Sequence, residues 1–380
     1  MLIGRAVRGA AALGVAVSVA AVSCAGVTRS EVDEVDDEVV DVAASQSSTT
    51  TTVPVPGCVA AMSVEQKAGQ LLMVLVASPS AASDLVAEGK VAGYALVGAQ
   101  SGDIAGQVAA VAARSKLPVF ASGDEEGGTV QRFRDMLGAL PSAQALASEN
   151  TPEGAGAVFG EYGTKLASLG LNMNFGPSLD VGSGSGLGTR SFGGTVNIAA
   201  DYGLAVIAAV KEAGLIPVAK HWPGIGGGDI DPHAAASPVA PLTQLRERDL
   251  IPFERAMDAG LDALMVSHAI VPDLTGDLPA SLSRAAITDE LRGEEGFDGL
   301  VVTDSLGMGA IAIRLDNSTA AVVSVAAGAD LALVSLTGSI PAAHQGLVDA
   351  INRGDIPLDQ IDRSVGRVLR AKGITGDCPL

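Results

Sequence analysis

Eight short, almost wholly apolar runs are spaced along this chain, and each ends on or beside a polar residue. They cover residues 71–77, 93–98, 118–124, 171–175, 216–221, 262–268, 299–305 and 329–335. A strand that reads apolar at nearly every position is buried on both faces, as in a parallel sheet covered by helices. Helical patterns separate most of the runs, and eight such units predict a single (β/α)8 barrel of the TIM type. In that architecture chemistry sits at the carboxyl ends of the strands. Those ends carry Asp124, Asn174, Lys220, His221, His268 and Asp304. Polar strand terminators alone account poorly for six such residues.

The remaining pattern fits one large domain. Ser63-Val64-Glu65-Gln66 reads as a capping box that opens the first helix, and helices are predicted over 104–115, 152–169, 197–213, 243–260, 307–326, 339–352 and 359–371. Around the helix over 197–213, Leu204, Ile207, Ala208 and Leu215 fall near one face. The Gly-rich stretch 222–242 carries no periodicity, and a loop of that length in a compact domain is usually functional. The net charge of −19 argues against a nucleic-acid partner, since phosphate binding needs a basic face.

The amino-terminal end reads as an export signal. Arg5 and Arg8 precede a short apolar stretch over residues 9–22, followed by Ala21-Val22-Ser23-Cys24. The pattern resembles a bacterial lipoprotein signal. It predicts a signal peptide over 1–23, lipidation at Cys24 and a membrane anchor without a spanning helix. Residues 24–57 form a predicted tether, with seven acids between Glu31 and Asp41 and then a Ser/Thr-rich stretch. This composition buries too little apolar surface to fold. The barrel domain is expected over 58–380. With Cys24 acylated, Cys58 and Cys378 remain, bracketing the domain in a disulfide-permissive compartment. We expect them to be bridged, which in the chain-entropy picture stabilises by about 4–5 kcal/mol, less any strain.

Four segments bear on chemistry: Asp124-Glu125-Glu126-Gly127-Gly128-Thr129-Val130-Gln131-Arg132, Thr189-Arg190-Ser191-Phe192-Gly193, Lys220-His221-Trp222-Pro223-Gly224, and Val302-Thr303-Asp304-Ser305-Leu306. In order and spacing they resemble glycoside hydrolase family 3, specifically its β-N-acetylglucosaminidase branch, over about residues 60–372. The resemblance implies that Asp304 is a nucleophile forming a glycosyl ester. It also implies that Asp231 and His233, on the loop after the fifth strand, are the acid/base dyad. The free carboxylate of Asp304 favours imidazolium at His233; ester formation removes that charge and favours the base form. Asp231 would orient the ring. Asp124, Arg132, Arg190, Lys220 and His221 are implied to line the sugar subsite. Each has an ordinary alternative: Asp124 can pair with Arg132, Lys220 can be a structural ion-pair partner, and Arg190 can cap a helix. No role is assigned to His268, Asn174 or Ser267, and Asp229 and Glu125 stand as reserve acid/base candidates.

Two positions depart from the resembling motifs. Ile225 replaces a loop histidine, and Pro232 stands where that branch carries Ser within the dyad, which would stiffen the loop. The chain has no room for the second domain that supplies the acid in several β-glucosidases of the family. Gly182–Gly188 does not open a helix after a strand, so a nucleotide site is not predicted. No metal-ligand spacing appears, and no cofactor is expected. The sequence therefore predicts an exported, lipid-anchored monomer that removes terminal N-acetylglucosamine from cell-wall saccharides with retention. The rivals are a β-glucosidase, a phosphorolytic relative, and a catalytically silent sugar-binding lipoprotein.

Overall fold

The computed structural model describes residues 57–231 and 233–378. The expected signal peptide, Cys24, almost all of the tether and Pro232 lie outside the described residues. Among the described residues, no helix is long and apolar enough to cross a membrane.

All eight predicted strands are present: β1 Leu72–Val76, β2 Gly93–Leu96, β3 Phe120–Gly123, β4 Met173–Asn174, β5 Ile216–Trp222, β6 Ala263–Val266, β7 Leu300–Thr303 and β8 Ala332–Val334. They pair in parallel in chain order, and β1 also pairs with β8. Closure between β7 and β8 rests on a bridge of Val302 to Leu331, with the Leu331 amide donating to the Val301 carbonyl and the Thr303 amide to the Leu331 carbonyl, each at 3.0 Å. The protein is a (β/α)8 barrel. Seven of the strands are shorter than their apolar runs, whose ends lie in the flanking turns, whereas β5 runs one residue past its run, through Trp222.

Side chains alternate across a strand, so every second residue faces the barrel axis. Met73, Ala95, Phe120, Met173, Val218, Met265, Val302 and Leu333 form one interior cluster. Continuing that parity by two residues leads from Val218 to Lys220 and from Val302 to Asp304. The apolar plug thus sets a floor beneath the polar strand ends.

Glycine and alanine let the outer helices pack closely. Helix Pro152–Ser168 lies against Val196–Glu212, where a Cβ on Gly156 would stand 2.9 Å from the Ala205 carbonyl oxygen and one on Gly163 3.0 Å from Ala213 Cβ. The buried stripe of the second helix is Ala199, Ala200, Gly203, Val206, Ile207 and Val210. Ile207 is buried and Leu204 packs beside it, as expected, but Ala208 is exposed.

The Ser63 capping box forms: the Ser63 amide donates to Gln66 Oε1 at 2.8 Å, and the Gln66 amide donates to Ser63 Oγ at 3.2 Å. Two predicted helices are each divided. The stretch 243–260 becomes Leu242–Glu247 and Ile251–Asp258, because Pro252 has no amide to continue the ladder and its ring would clash one turn back. The stretch 307–326 becomes Gly309–Ala312 and Asn317–Ala327, because Asp316 accepts the Ser318 and Thr319 amides and starts a new helix. A wide helical segment, Ala285–Glu294, precedes β7 and was not predicted.

Cys58 and Cys378 form the expected disulfide, with Cα atoms 5.4 Å apart across 320 residues of sequence. It joins the first described turn, Gly57–Ala61, to the tail that follows the last helix, Leu358–Ala371. Replacing both cysteines with serine is expected to lower stability by about 2–5 kcal/mol. Thermal unfolding of the pair variant, and of the parent protein with reductant, checks this; an unchanged midpoint would show that the bridge constrains nothing.

Candidate active site

The carboxyl ends of the strands surround a cavity of about 230 Å³. Asp124, Arg132, Arg190, Lys220, His221, His233 and Asp304 all line it. Every candidate sugar-binding residue therefore shares one cavity with the candidate nucleophile and the candidate acid/base. Wider grooves, lined for instance by Lys372 and Arg367, lie at the amino ends of the strands, away from these groups.

Lys220 is the hub. The residue is 2 % exposed, and its ammonium sits against Asp124 Oδ1 and Glu126 Oε1. Asp124 Oδ2 accepts from Arg132 Nη2 at 2.9 Å. Glu126 takes Arg190 in a fork, Oε2 accepting from Nε at 2.8 Å and Oε1 from Nη2 at 2.7 Å. Burial alone would raise the Glu126 pKa, but Lys220 and Arg190 outweigh it and hold the carboxyl well below its usual range. Burial alone would lower Lys220, but Asp124 and Glu126 raise it. Lys220 and Arg190 are thus structural ion-pair partners and cavity-lining groups at once. Arg190 contacts Glu126 and His221 rather than capping a helix.

His221 lies next to Lys220, yet both reach the cavity. The β5 register shifts between Ala219 and Trp222, which breaks strict alternation. His221 Nδ1 is 2.7 Å from Asp180 Oδ2, and Nε2 is 3.1 Å from Arg190 Nη2. Arginine only donates, so Nε2 accepts and Nδ1 carries the proton given to Asp180. Asp180 is fully buried and also accepts the Ile225 amide at 2.8 Å and the Ser178 hydroxyl at 2.9 Å. Burial would raise its pKa; the His221 ring and these donors bring it below the ordinary value.

Asp304 follows β7, its amide bonded to the Val266 carbonyl at 2.9 Å. Its Oδ1 accepts the Ser305 amide at 2.7 Å, leaving Oδ2 free of that bond. Burial would raise its pKa, yet the His268 and His221 rings, the Ser305 amide and Lys220 lower it. The group is therefore an ionised carboxylate at neutral pH. His268 is buried; its Nδ1 contacts Ser281 Oγ at 2.7 Å and its Nε2 the Ser305 carbonyl at 2.9 Å. It buttresses the turn that carries Asp304.

His233 and Asp231 meet on the loop as predicted. Asp231 Oδ1 accepts the His233 amide at 2.9 Å and lies 2.7 Å from His233 Nδ1. Those two bonds, the backbone one first, lower the Asp231 pKa. With Nδ1 engaged, Nε2 is the nitrogen available for proton transfer. His233 is exposed at the cavity mouth.

Neither reserve acid/base candidate lines the cavity. Asp229 is exposed. Glu125 is buried, accepting from the Tyr162 hydroxyl at 2.8 Å and from the Arg132 amide, and burial lifts it to about 7. Asn174 positions Glu125 by bonding its amide at 3.0 Å and its carbonyl at 3.1 Å. Ser267 Oγ accepts the Ala269 amide at 3.2 Å. Ile225, at the position of the missing loop histidine, packs with Leu187 and Ala269 and lines the cavity.

The sequence from 63 to 371 matches the glycosyl hydrolase family 3 N terminal domain. The chain belongs to glycosyl hydrolase family 3. Its relatives in this family include the β-hexosaminidase LpqI of Mycobacterium tuberculosis, 36 % identical over 86 % of this chain and 89 % of that protein. The solved M. tuberculosis LpqI structure superposes with a TM-score of 0.79 at 36 % identity, covering 84 % of this chain and 99 % of that one. A family 3 β-N-acetylglucosaminidase from a Paenibacillus species gives 0.78 at 35 % identity, over 83 % of this chain and 63 % of that one. Among the described residues, no cluster of three or more His, Cys, Asp or Glu could hold a metal ion.

The network makes Glu126 and Asp180, which sequence reading did not nominate, the buried counter-charges of the family 3 site. Glu126→Gln keeps the shape but leaves Lys220 and Arg190 short of one anion. It is expected to cost about 3–5 kcal/mol, as breaking a buried ion pair does. Denaturant unfolding checks this; a change within about 0.5 kcal/mol, the range of ordinary surface substitutions, would contradict it.

Proposed function

We propose that this protein is an exo-acting, retaining β-N-acetylglucosaminidase that removes terminal N-acetylglucosamine from cell-wall fragments through a glycosyl ester on Asp304. The observation that carries the reading is the meeting of Asp304 with the Asp231–His233 dyad at one cavity. In the first step Asp304 Oδ2 attacks the anomeric carbon, and His233 Nε2 gives its proton to the departing glycosidic oxygen. In the second, His233 takes a proton from water, the water oxygen bonds to the anomeric carbon, and Asp304 leaves as carboxylate. Asp231 holds the ring and moderates its charge throughout. Asp124, Arg132, Arg190, Lys220 and His221 are the hydrogen-bonding groups of the sugar subsite.

The charge balance favours water over phosphate as acceptor. Each cation at the cavity already faces a carboxylate: Lys220 two, Arg190 one and Arg132 one. A phosphate dianion would have to approach Asp304, Asp124 and Asp231 with no unpaired cation among these groups to receive it. Hydrolysis is therefore our reading over phosphorolysis. A purely sugar-binding protein would have no use for an ionised Asp304 at the cavity.

The domain plan follows the same reading. Residues 1–23 are a signal peptide, 24–57 a tether and 58–380 the catalytic barrel. Lipidated Cys24 holds the protein, as a monomer, at the outer face of the membrane within reach of wall saccharides.

Replacement of His233 by alanine tests the reading. Hydrolysis of an N-acetylglucosaminyl disaccharide should fall by about 10²–10⁴-fold. An aryl substrate with an acidic leaving group needs little protonation and should keep far more of its kcat/KM. Azide should then raise turnover of the aryl substrate by attacking the ester without a base. Equal losses on both substrates, with no azide rescue, would remove His233 from the mechanism. In the parent enzyme, aryl N-acetylglucosaminide should be cleaved in preference to aryl glucoside, with no gain on adding phosphate.

A further inference from the structure

We propose that Gly309 is a positioning residue whose missing side chain lets the dyad loop dock against the turn that carries Asp304. The inference rests on the reading of His233 as acid/base and adds what sets its place. The loop is pinned where it leaves β5. The Ile225 amide bonds Asp180, the Gly184 amide donates to the Gly226 carbonyl at 2.9 Å, and the Ser185 amide donates to the Gly228 carbonyl at 2.8 Å. It is pinned again on its return, where the Val239 amide donates to the Ile270 carbonyl and the Ile270 amide to the Ser237 carbonyl, each at 2.9 Å. Between these anchors lie Asp231 and His233. There the Gly309 amide donates to the His233 carbonyl at 3.0 Å, from outside the loop.

That contact is close enough to exclude a side chain. A Cβ on Gly309 would lie 2.3 Å from the Ala234 carbonyl oxygen and 2.6 Å from that of His233. Both are backbone atoms, so the loop or the turn would have to shift. The turn is the firmer of the two. The Leu306 amide bonds the Leu333 carbonyl at 2.9 Å, the Gly307 amide bonds Ser335 Oγ at 2.8 Å, and the Met308 amide bonds the Ser305 carbonyl at 3.1 Å. These bonds fix the turn to β8 and to itself, so the dyad loop is the part that moves. Gly309 thus sets how far His233 stands from Asp304 without touching substrate.

The test compares Gly309→Ala with His233→Ala in the full-length protein. Displacing a proton donor by about 1 Å costs on the order of 10²-fold. Gly309→Ala should therefore lower kcat/KM on an N-acetylglucosaminyl disaccharide by about 10–100-fold, while nitrophenyl N-acetylglucosaminide loses less than about threefold. Its thermal midpoint should stay near that of the parent, and the activated substrate reports an intact Asp304 in the same sample. Adding Gly309→Ala to His233→Ala should cost nothing further on the disaccharide, because the residue acts through His233. Unchanged disaccharide cleavage, or equal losses on both substrates, overturns the role of Gly309. If His233→Ala itself shows no leaving-group dependence, the acid/base reading fails first and takes this inference with it.

Discussion

A chain of charges, running Arg132–Asp124–Lys220–Glu126–Arg190–His221–Asp180 and buried at Lys220, Glu126, His221 and Asp180, is what the rest of the site depends on. A lysine 2 % exposed is tolerable inside a barrel only with carboxylates against it. Once Asp124 and Glu126 are there, they need Arg132 and Arg190 in turn. The result spans the ends of β3 and β5 and the loop after β4, so ionic contacts fix the relative positions of segments far apart in sequence. An apolar network would give no donors to sugar hydroxyls. This one presents several at the cavity wall, held rigid before any ligand arrives.

The two candidate reacting groups are held in opposite ways. Asp304 sits on a strand end and is fixed by the Val266 carbonyl, the Ser305 amide and the turn that His268 buttresses. His233 is exposed on a long loop, tied by Asp231 and by one backbone bond from Gly309. Under the proposed mechanism, rigidity suits a carboxylate that must meet an anomeric carbon in line. Under the same proposal, the looser mounting suits a group that first serves the leaving oxygen and then a water molecule at nearly the same place. Ile225 fits this division: where the resembling branch has a loop histidine, it adds apolar packing with Leu187 and Ala269 to the base of the loop.

The barrel was legible because its strands are buried on both faces, and uninterrupted apolar runs such as 71–77 have few other homes. Lys220 and Asp304 were legible from their place at strand ends, and the structure shows that both continue inward-facing positions. The bridge between Cys58 and Cys378 followed from where the cysteines stand. Glu126 and Asp180 were not legible in the same way. Glu126 lies beside Asp124 in a quoted motif, but its partner Arg190 is 64 residues away, and only the barrel brings them together. A signal existed for Asp180: it follows β4, the direct neighbour of the strand that carries His221. The helix breaks had local signals as well, in Pro252 and in the Asp316 cap, which the apolar periodicity outweighed. Gly309 gives no sequence signal, because its meaning lies in the carbonyls that crowd it.

The central claim is that Asp304 forms the bond to sugar. The most direct measurement is to trap the enzyme with an activated fluorosugar that forms the glycosyl ester quickly and hydrolyses it slowly, then to locate the added mass by peptide mapping. The account predicts one sugar per protein, on the peptide containing Asp304, and none on the Asp304→Asn variant. Label on another carboxylate, or steady turnover by that variant, would contradict it.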